Sequence, residues 1–346
     1  MKLLLLGGTQ FLGRHIVEMA LQRSHDVTVF TRGRRMLPPA IASSITMLTG
    51  DRDPRIAPGL DALRDGRWDA AIDLSGYVPR VVDASATLLA GRVARYVFLS
   101  SISVYAKLDR PGLDESAPLA ALDNADSEEV AKDYGALKAA CEAMVTRALG
   151  PCATHVRPGL IVGPYDPTDR FAYWPARFAH PHLLGDRGPH AVVPAPPDQA
   201  LQLIDGRDLA AFVLGLVERD VEGTFNATSP SDHWTFRDVV AACMHAAAAP
   251  PQPLWVPEQM LLDFHVEPWM GLPLWIPSND PDTAGFQRVS TQRAQSAGLR
   301  TRPLEQTVAD TAQWLASRPN ENAWKHVLSD ARERQIVSAV HPSSTH

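Results

Sequence analysis

Apolar residues in the first half of the chain fall in short runs, and helical stripes separate the runs. Leu3-Leu-Leu-Leu6 is the first run, followed by glycines and then a helical pattern with Ile16, Ala20 and Leu21 on one face. The same alternation predicts strands at 2–6, 26–30, 45–49, 70–74, 96–99 and 154–157, with helices near 12–24, 79–91 and 129–148. Parallel strands joined by helical crossovers imply an α/β chain with a doubly wound parallel sheet. The pattern changes after Gly163. Residues 164–200 are rich in proline, aromatics and histidine and read as an irregular, substrate-facing segment. A strand is predicted at 199–204 and a helix at 208–217. A mostly α section follows from about 231, with Trp255, Trp269 and Trp275 in the proline-rich stretch 250–281, and a helix near 303–316. The polar residues 331–346 read as a helix that frays into disorder. The expected division is a nucleotide-binding domain over 1–163 plus about 199–228, a smaller lobe over about 164–198 and 229–330, and a frayed tail over 331–346.

Composition narrows the function classes. The 346 residues are 45% hydrophobic and 21% charged with a net charge of −6, ordinary for a globular protein and without the basic excess of a nucleic-acid binder. The Leu3–Leu6 run is too short for a membrane span or a secretory leader, so a cytoplasmic location without membrane contact is the default expectation. Cys141, Cys152 and Cys243 are odd in number and scattered, and read as reduced thiols.

Three stretches carry candidate chemistry. Gly7-Gly-Thr-Gln-Phe-Leu-Gly13 lies between a predicted strand and helix, the context in which a glycine turn and a helix N-terminus receive a dinucleotide pyrophosphate. Phe98-Leu-Ser-Ser-Ile-Ser-Val-Tyr105 is a strand that ends in hydroxyls, and ligands collect at the carboxyl ends of such strands. Tyr134 and Lys138 are four residues apart on one predicted helix, so they share a face. An ammonium beside a phenol favours phenolate, and a tyrosine lowered from its usual pKa of about 10 can exchange a proton with an alcohol oxygen.

Together these stretches resemble the short-chain dehydrogenase/reductase superfamily in its extended branch of epimerases, dehydratases and reductases. Asp51 in Gly-Asp-Arg-Asp53, Arg157-Pro-Gly-Leu-Ile-Val-Gly-Pro164, Ile204-Asp-Gly-Arg-Asp208 and Phe225-Asn-Ala-Thr228 extend the likeness over about residues 1 to 315. The resemblance implies a Rossmann sheet and a catalytic set of Ser101, Tyr134 and Lys138. It implies dinucleotide contacts from Gly7, Thr9, Gln10, Phe11, Leu12 and Gly13 at the turn. Further contacts follow from Thr31, Arg32, Arg35, Asp51, Arg52, Ser75, Gly76, Lys138 and Pro158. Gln10 replaces the usual middle glycine, as in an atypical subgroup near the chloroplast stem-loop RNA-binding proteins. Its amide either intrudes on the phosphate approach or donates to the phosphates.

Cofactor choice is read after the second strand, where an acid binds the ribose of NAD and arginine accommodates the 2′-phosphate of NADP. Thr31 holds the acid position and Arg32, Arg34 and Arg35 follow, so NADP(H) is expected over NAD. Ile102 and Ser103 stand where sugar-nucleotide dehydratases of the family carry an acid pair, which argues against elimination chemistry. Substrate candidates are Tyr77, Ser103, Tyr165, Arg170 and Trp174, with Trp269 to Trp275. The aromatics can equally form the core of the smaller lobe. Scattered His180, His182 and His190 give no reason to expect a metal. The expected activity is hydride transfer at a carbonyl or secondary alcohol of a small molecule. The rivals are a nucleotide-sugar epimerase that retains its cofactor and a non-catalytic binding protein of the same fold. A homodimer is the assembly common in the resembled superfamily.

Overall fold

β1 (Lys2–Leu6) lies between two parallel neighbours and is fully buried from Leu3 onward. A strand covered on both faces needs a continuous apolar run, which Leu3 to Leu6 supply. The structure, a computed structural model, describes residues 1–185, 187–318, 324–325 and 327–341. After β1 come α1 (Phe11–Gln22), β2 (Asp26–Thr31), the short α2 (Pro39–Ala42), β3 (Thr46–Thr49), β4 (Trp68–Asp73), α3 (Pro79–Leu89), β5 (Val93–Leu99), α4 (Val130–Leu149) and β6 (Ala153–Pro158). The chain continues through β7 (Leu160–Val162), α5 (Tyr173–Ala179), β8 (His190–Ala195), β9 (Ala200–Leu201), β10 (Leu203–Asp205), α6 (Gly206–Glu218) and β11 (Gly223–Ala227). It then forms β12 (Trp234–Thr235), α7 (Phe236–His245), β13 (Gln252–Pro257), α8 (Glu258–Asp263), α9 (Gln292–Ser296), α10 (Leu304–Leu315) and α11 (Asp330–Val340).

Seven parallel strands form the main sheet in the order β11-β6-β5-β4-β1-β2-β3. The order reverses at β1, where the chain winds one way to β2 and β3 and then back to β4. The crevice outside the carboxyl ends of β1 and β4 is therefore the switch point at which such sheets bind ligands. α1 and α6 cover one face through Ile16, Val17, Leu209 and Val213, and α3 and α4 cover the other through Val82, Ala86, Cys141 and Val145. β11 was not among the predicted strands, although its Phe225-Asn-Ala segment carried part of the family likeness. It extends the sheet beside β6.

The smaller lobe has its own core, centred on Phe171, Trp174, Phe236 and Trp275. One expectation for it is corrected. Residues 164–200 are not irregular throughout: they contain α5 and β8, and β8 pairs in parallel with β13. The helix expected near the C-terminal end is present as α11, which docks through a fully buried carboxylate. Glu333 accepts from Arg177 Nε at 3.0 Å, Arg187 Nη1 at 3.1 Å and the Val192 N–H at 3.1 Å, and Ile336 is buried beside it. Residues 342–346 lie outside the described residues. The strand predicted at 199–204 is interrupted at Gln202, whose side-chain amide donates to the carbonyls of Ser229 and Val289.

Candidate active site

A cavity of about 740 Å³ opens at the switch point, and its wall runs continuously from the glycine turn to Tyr134. At one end are Gly7, Thr9, Gln10, Phe11, Leu12 and Gly13. Gln10 is the N-cap of α1 in extended conformation and makes no side-chain cap bond, so the first N–H groups of α1 face the cavity with no side-chain partner. Gly13 is required by contact: a Cβ there would sit 2.3 Å from the Gly8 Cα, inside any tolerable separation. This close approach seats the turn against the start of α1.

At the other end α4 delivers Tyr134 and Lys138. Its path kinks at Asp133 (φ −109°, ψ 25°), whose carboxylate accepts from Ser127 Oγ at 2.5 Å. The next residue is Tyr134. Gly135 then lets the helix press against the loop after β5, since a Cβ there would come 2.1 Å from the Ser103 carbonyl oxygen. Gly135 was absent from the sequence-derived site. Glycine inside a helix is disfavoured by about 1 kcal/mol relative to alanine, and that was the available signal. Ser101 caps the short turn that follows β5, its Oγ accepting from the Ser103 N–H at 3.1 Å. Ser101, Tyr134 and Lys138 all line the cavity, whereas Ser103 does not and serves through its backbone.

Lys138 departs from its expected role. Its buried ammonium donates to the Gly76 carbonyl at 2.8 Å and the Leu99 carbonyl at 2.5 Å, and lies 4.5 Å from the Phe98 ring centroid. Burial pushes Lys138 down to about 8, with Asp73 opposing the shift. Tyr134 is raised above the usual tyrosine value by burial, opposed by the neighbouring Ser101 and, more weakly, by Arg170. The hydrogen bonds of the ammonium go to the Gly76 and Leu99 carbonyls, and burial dominates at the tyrosine.

Several other predicted residues are placed differently. Arg52 reaches the wall, but its guanidinium is spent internally: it binds both oxygens of Asp73 at 2.6 and 2.7 Å and Ser85 Oγ at 2.7 Å. Tyr96 also donates to Asp73, at 2.7 Å. Arg52 is thus a buried clamp rather than a free cofactor ligand. Asp51 lines the cavity while its carboxylate accepts from the Asp53 N–H at 2.9 Å. Thr31, Arg32, Ser75 and Pro158 are on the wall. Gly76 is behind it as the lysine's acceptor, and Arg34 takes the wall position expected of Arg35. Among the described residues Arg32, Arg34 and Arg35 form no ion pair. Tyr77 stands at the mouth, 44% exposed and 6.5 Å from the Tyr134 ring. Beside it Arg80 bridges Asp53 at 2.8 Å and Glu128 at 2.9 Å, so Arg80 closes a rim and is not free for a ligand.

Two substrate candidates are corrected. Trp174 is fully buried in the core of the smaller lobe, where its indole N–H donates to the Pro273 carbonyl at 3.2 Å. Tyr165 is held in a stack: the Arg14 guanidinium lies 3.7 Å from its ring centroid, with His15 and Trp314 at 5.5 and 6.0 Å. Arg170 remains near the chemistry, close enough for Tyr134 to act on it electrostatically, and Trp269 packs 5.6 Å from its guanidinium. Trp275 is core. Among the described residues no group of three or more His, Cys, Asp or Glu could hold a metal ion, and no helix is long and apolar enough to cross a membrane.

No family model matches the chain. Among curated proteins it is similar to the chloroplast stem-loop binding protein of 41 kDa b of Arabidopsis thaliana, with 26% identity over 265 residues. That match covers 72% of this chain and 64% of the relative, so the chain spans under two thirds of that protein's length. Among solved structures it superposes on the UDP-Glc/GlcNAc 4-epimerase from Campylobacter jejuni with a TM-score of 0.66 and 14% identity, covering 92% of this chain and 99% of that one. It also superposes on MoeE5 in complex with UDP-glucose and NAD with a TM-score of 0.62 and 18% identity, covering 92% and 99%. These likenesses extend through the lobe as well as the sheet, and the chain has the fold of the extended short-chain dehydrogenase/reductase structures.

Proposed function

We propose that the chain is a nicotinamide-dinucleotide-dependent enzyme that handles the proton of a secondary alcohol or carbonyl at Tyr134. The observation that carries this reading is one cavity lined at one end by the glycine turn and at the other by Ser101, Tyr134 and Lys138. The residues fit a dinucleotide. The Gly13–Gly8 contact and the α1 N-terminus form a phosphate cradle, and a volume of about 740 Å³ is within the range of small-molecule sites. When bound, the nicotinamide supplies hydride transfer. The protein's own part is positional and acid–base. Tyr134 gives a proton to, or takes it from, the reacting oxygen. Ser101 lines the cavity beside Tyr134, where its hydroxyl can hydrogen-bond the reacting oxygen. Lys138 fixes the Gly76 and Leu99 carbonyls at the strand ends and holds a cation beneath the nicotinamide end of the cavity.

The same site suits an oxidoreductase that releases its cofactor and an epimerase that retains it. The names of the solved neighbours favour the epimerase at least as strongly. Mass spectrometry of the purified protein separates the two, since an epimerase is expected to carry a dinucleotide through purification. The relative's stem-loop binding name supports a third reading, a binder without turnover. The assembled Ser101, Tyr134 and Lys138 set weighs against it, because a binder has no use for a proton-transfer group.

For the cofactor's 2′ position, Thr31 in place of an acid and the wall positions of Arg32 and Arg34 favour NADP(H), while the neighbour MoeE5 is named with NAD. Fluorescence titration with NADPH and NADH tests this. NADPH is expected to bind more tightly, and Arg32→Glu is expected to weaken NADPH by about tenfold while leaving NADH nearly unchanged. Equal affinity for the two in the wild type refutes the preference.

A further inference from the structure

We propose that Arg170 is an anion receptor for the substrate: its guanidinium takes a carboxylate or phosphate carried by the molecule whose oxygen meets Tyr134. This rests on the reading of Tyr134 as the proton-transfer group and adds the chemical class of the substrate to it.

Three observations converge on Arg170. Its Nε is buried without a hydrogen-bond partner, and among the described residues no carboxylate pairs with its guanidinium. Buried N–H donors are satisfied in nearly all native structures, so an unpartnered one on an arginine without an ion pair leaves room for an acceptor. The head also packs against an aromatic platform, with its guanidinium carbon 5.6 Å from the Trp269 ring centroid, an arrangement that keeps a planar fork oriented. Finally, Trp269 also packs 5.4 Å from the ring centroid of Phe286, and Phe286 packs against Ile102, Val104 and Ala139, the neighbours of Ser101 and Lys138, so Arg170 shares a neighbourhood with the proposed proton-transfer set.

The surrounding residues leave this arginine uncommitted. Its near acid, Asp166, is 1% exposed and spends its carboxylate on the Thr168 N–H at 2.8 Å and the Thr168 hydroxyl at 2.8 and 3.0 Å. Three other arginines of the lobe are tied down: Arg177 and Arg187 to Glu333, and Arg318 to Asp169. Arg170 also lies off the wall of the cavity that begins at the glycine turn. A guanidinium offers two parallel N–H groups that match a carboxylate or a phosphate, and neither a neutral alcohol nor an amine satisfies it as well.

Isothermal titration of the protein preloaded with oxidised dinucleotide tests the proposal. The probes are sodium 3-hydroxybutyrate for a carboxylate, UDP-glucose for a phosphate, and 2-butanol as a neutral control. The wild type is expected to bind one charged probe and not 2-butanol, and the probe that binds identifies the source of the anion. Arg170→Met should weaken that probe by about 100-fold and Arg170→Lys by about tenfold, with melting temperature and dinucleotide affinity unchanged. Arg170→Gln, which keeps the stem and removes the charge, carries the same expectation should the methionine variant melt early. The proposal is overturned if the wild type binds neither charged probe, or if removing the charge leaves affinity within about threefold. Dinucleotide affinity is measured separately on the same preparation. Its absence refutes the cofactor reading, whereas failure of the charged probes alone refutes the anion receptor.

Discussion

The half built on the seven-stranded sheet and the smaller lobe both bury charge, but they close their pairs over different stretches of chain. In the first half Arg52 meets Asp73 across 21 residues, and Glu142 meets Arg157 across 15. Each pair joins neighbouring βαβ units, and each is finished within the local winding of the sheet. In the lobe Glu333 is met by Arg177 across 156 residues, by Arg187 across 146 and by the Val192 N–H across 141. Arg318 meets Asp169 across 149. The first half is built from consecutive pieces that each bury a local core. The lobe is assembled from segments either side of β10 and α6, and its charges have partners only when distant segments meet. The proposed function divides along the same boundary: Ser101, Tyr134 and Lys138 belong to the locally closed half, and Arg170 to the other.

Tyr134→Phe should break function without touching either charge network. Turnover of a true substrate is expected to fall by about 10² to 10⁴, with the melting temperature and dinucleotide affinity retained. Near wild-type turnover would remove Tyr134 from the chemistry. The charge networks are tested directly by truncation. Glu333→Ala leaves two arginines buried without their carboxylate and should cost about 3–5 kcal/mol in urea unfolding. Hydrogen exchange should show the loss concentrated in α5, β8 and α11, with dinucleotide affinity spared. Asp73→Ala should cost a similar amount but abolish dinucleotide binding as well, because Asp73 anchors Arg52, Tyr96 and the Ser75 N–H beside the cavity. If both variants lost binding equally, the two halves would not be energetically separate.

The pH dependence of Lys138 gives a smaller effect. Burial holds its folded value at about 8, below the ordinary 10.5. Between these two values the unfolded lysine keeps its proton and the folded one does not, so stability should rise with pH across that window. Below about 8 both states are protonated and the burial penalty is present in full. The rise should vanish in Lys138→Met, when unfolding free energies of the two proteins are compared from pH 8 to 10. Dinucleotide affinity in the wild type should fall over the same interval as the cation is lost. Smallest of all, Gln10→Gly should keep or slightly improve dinucleotide affinity, because the Gln10 side chain makes no cap bond that the variant would lose. A loss of about tenfold, or 1.4 kcal/mol, would show that the amide contributes a contact of its own.

The boundaries of β1, α1, α3 and α4 were readable to within a residue or two, because their apolar periods are set by one local sheet. The glycine turn, Ser101, Tyr134 and Lys138 were readable for the same reason, since each follows a strand or rides a helix of fixed period. What was not readable depends on distance along the chain. Nothing in the polar stretch around Glu333 indicates that two arginines nearly half the chain away are waiting for it. The aromatic cluster had two open meanings, and burial separated them: Trp174 and Trp275 went to the core, while Trp269 went to Arg170. Arg52 was expected to be a cofactor contact on the family resemblance alone. Only the position of Asp73 at the end of β4 showed that its charge was already taken. The direction of the Lys138 ammonium was likewise invisible, because helical spacing fixes which face a side chain shares but not which carbonyls it finds.

Protein synthesis runs from the N-terminus, and the distances of the lobe's ion pairs acquire a temporal meaning from that. Arg52 and Asp73 are made 21 residues apart, so the sheet can complete its buried charges while the chain is still growing. Arg177 and Arg187 must wait until residue 333 has been added. Throughout that interval the lobe's core carries two guanidinium groups that it cannot yet bury without penalty. A nascent chain should therefore have a folded seven-stranded half beside an open lobe, and the lobe should be the part that needs shelter during translation.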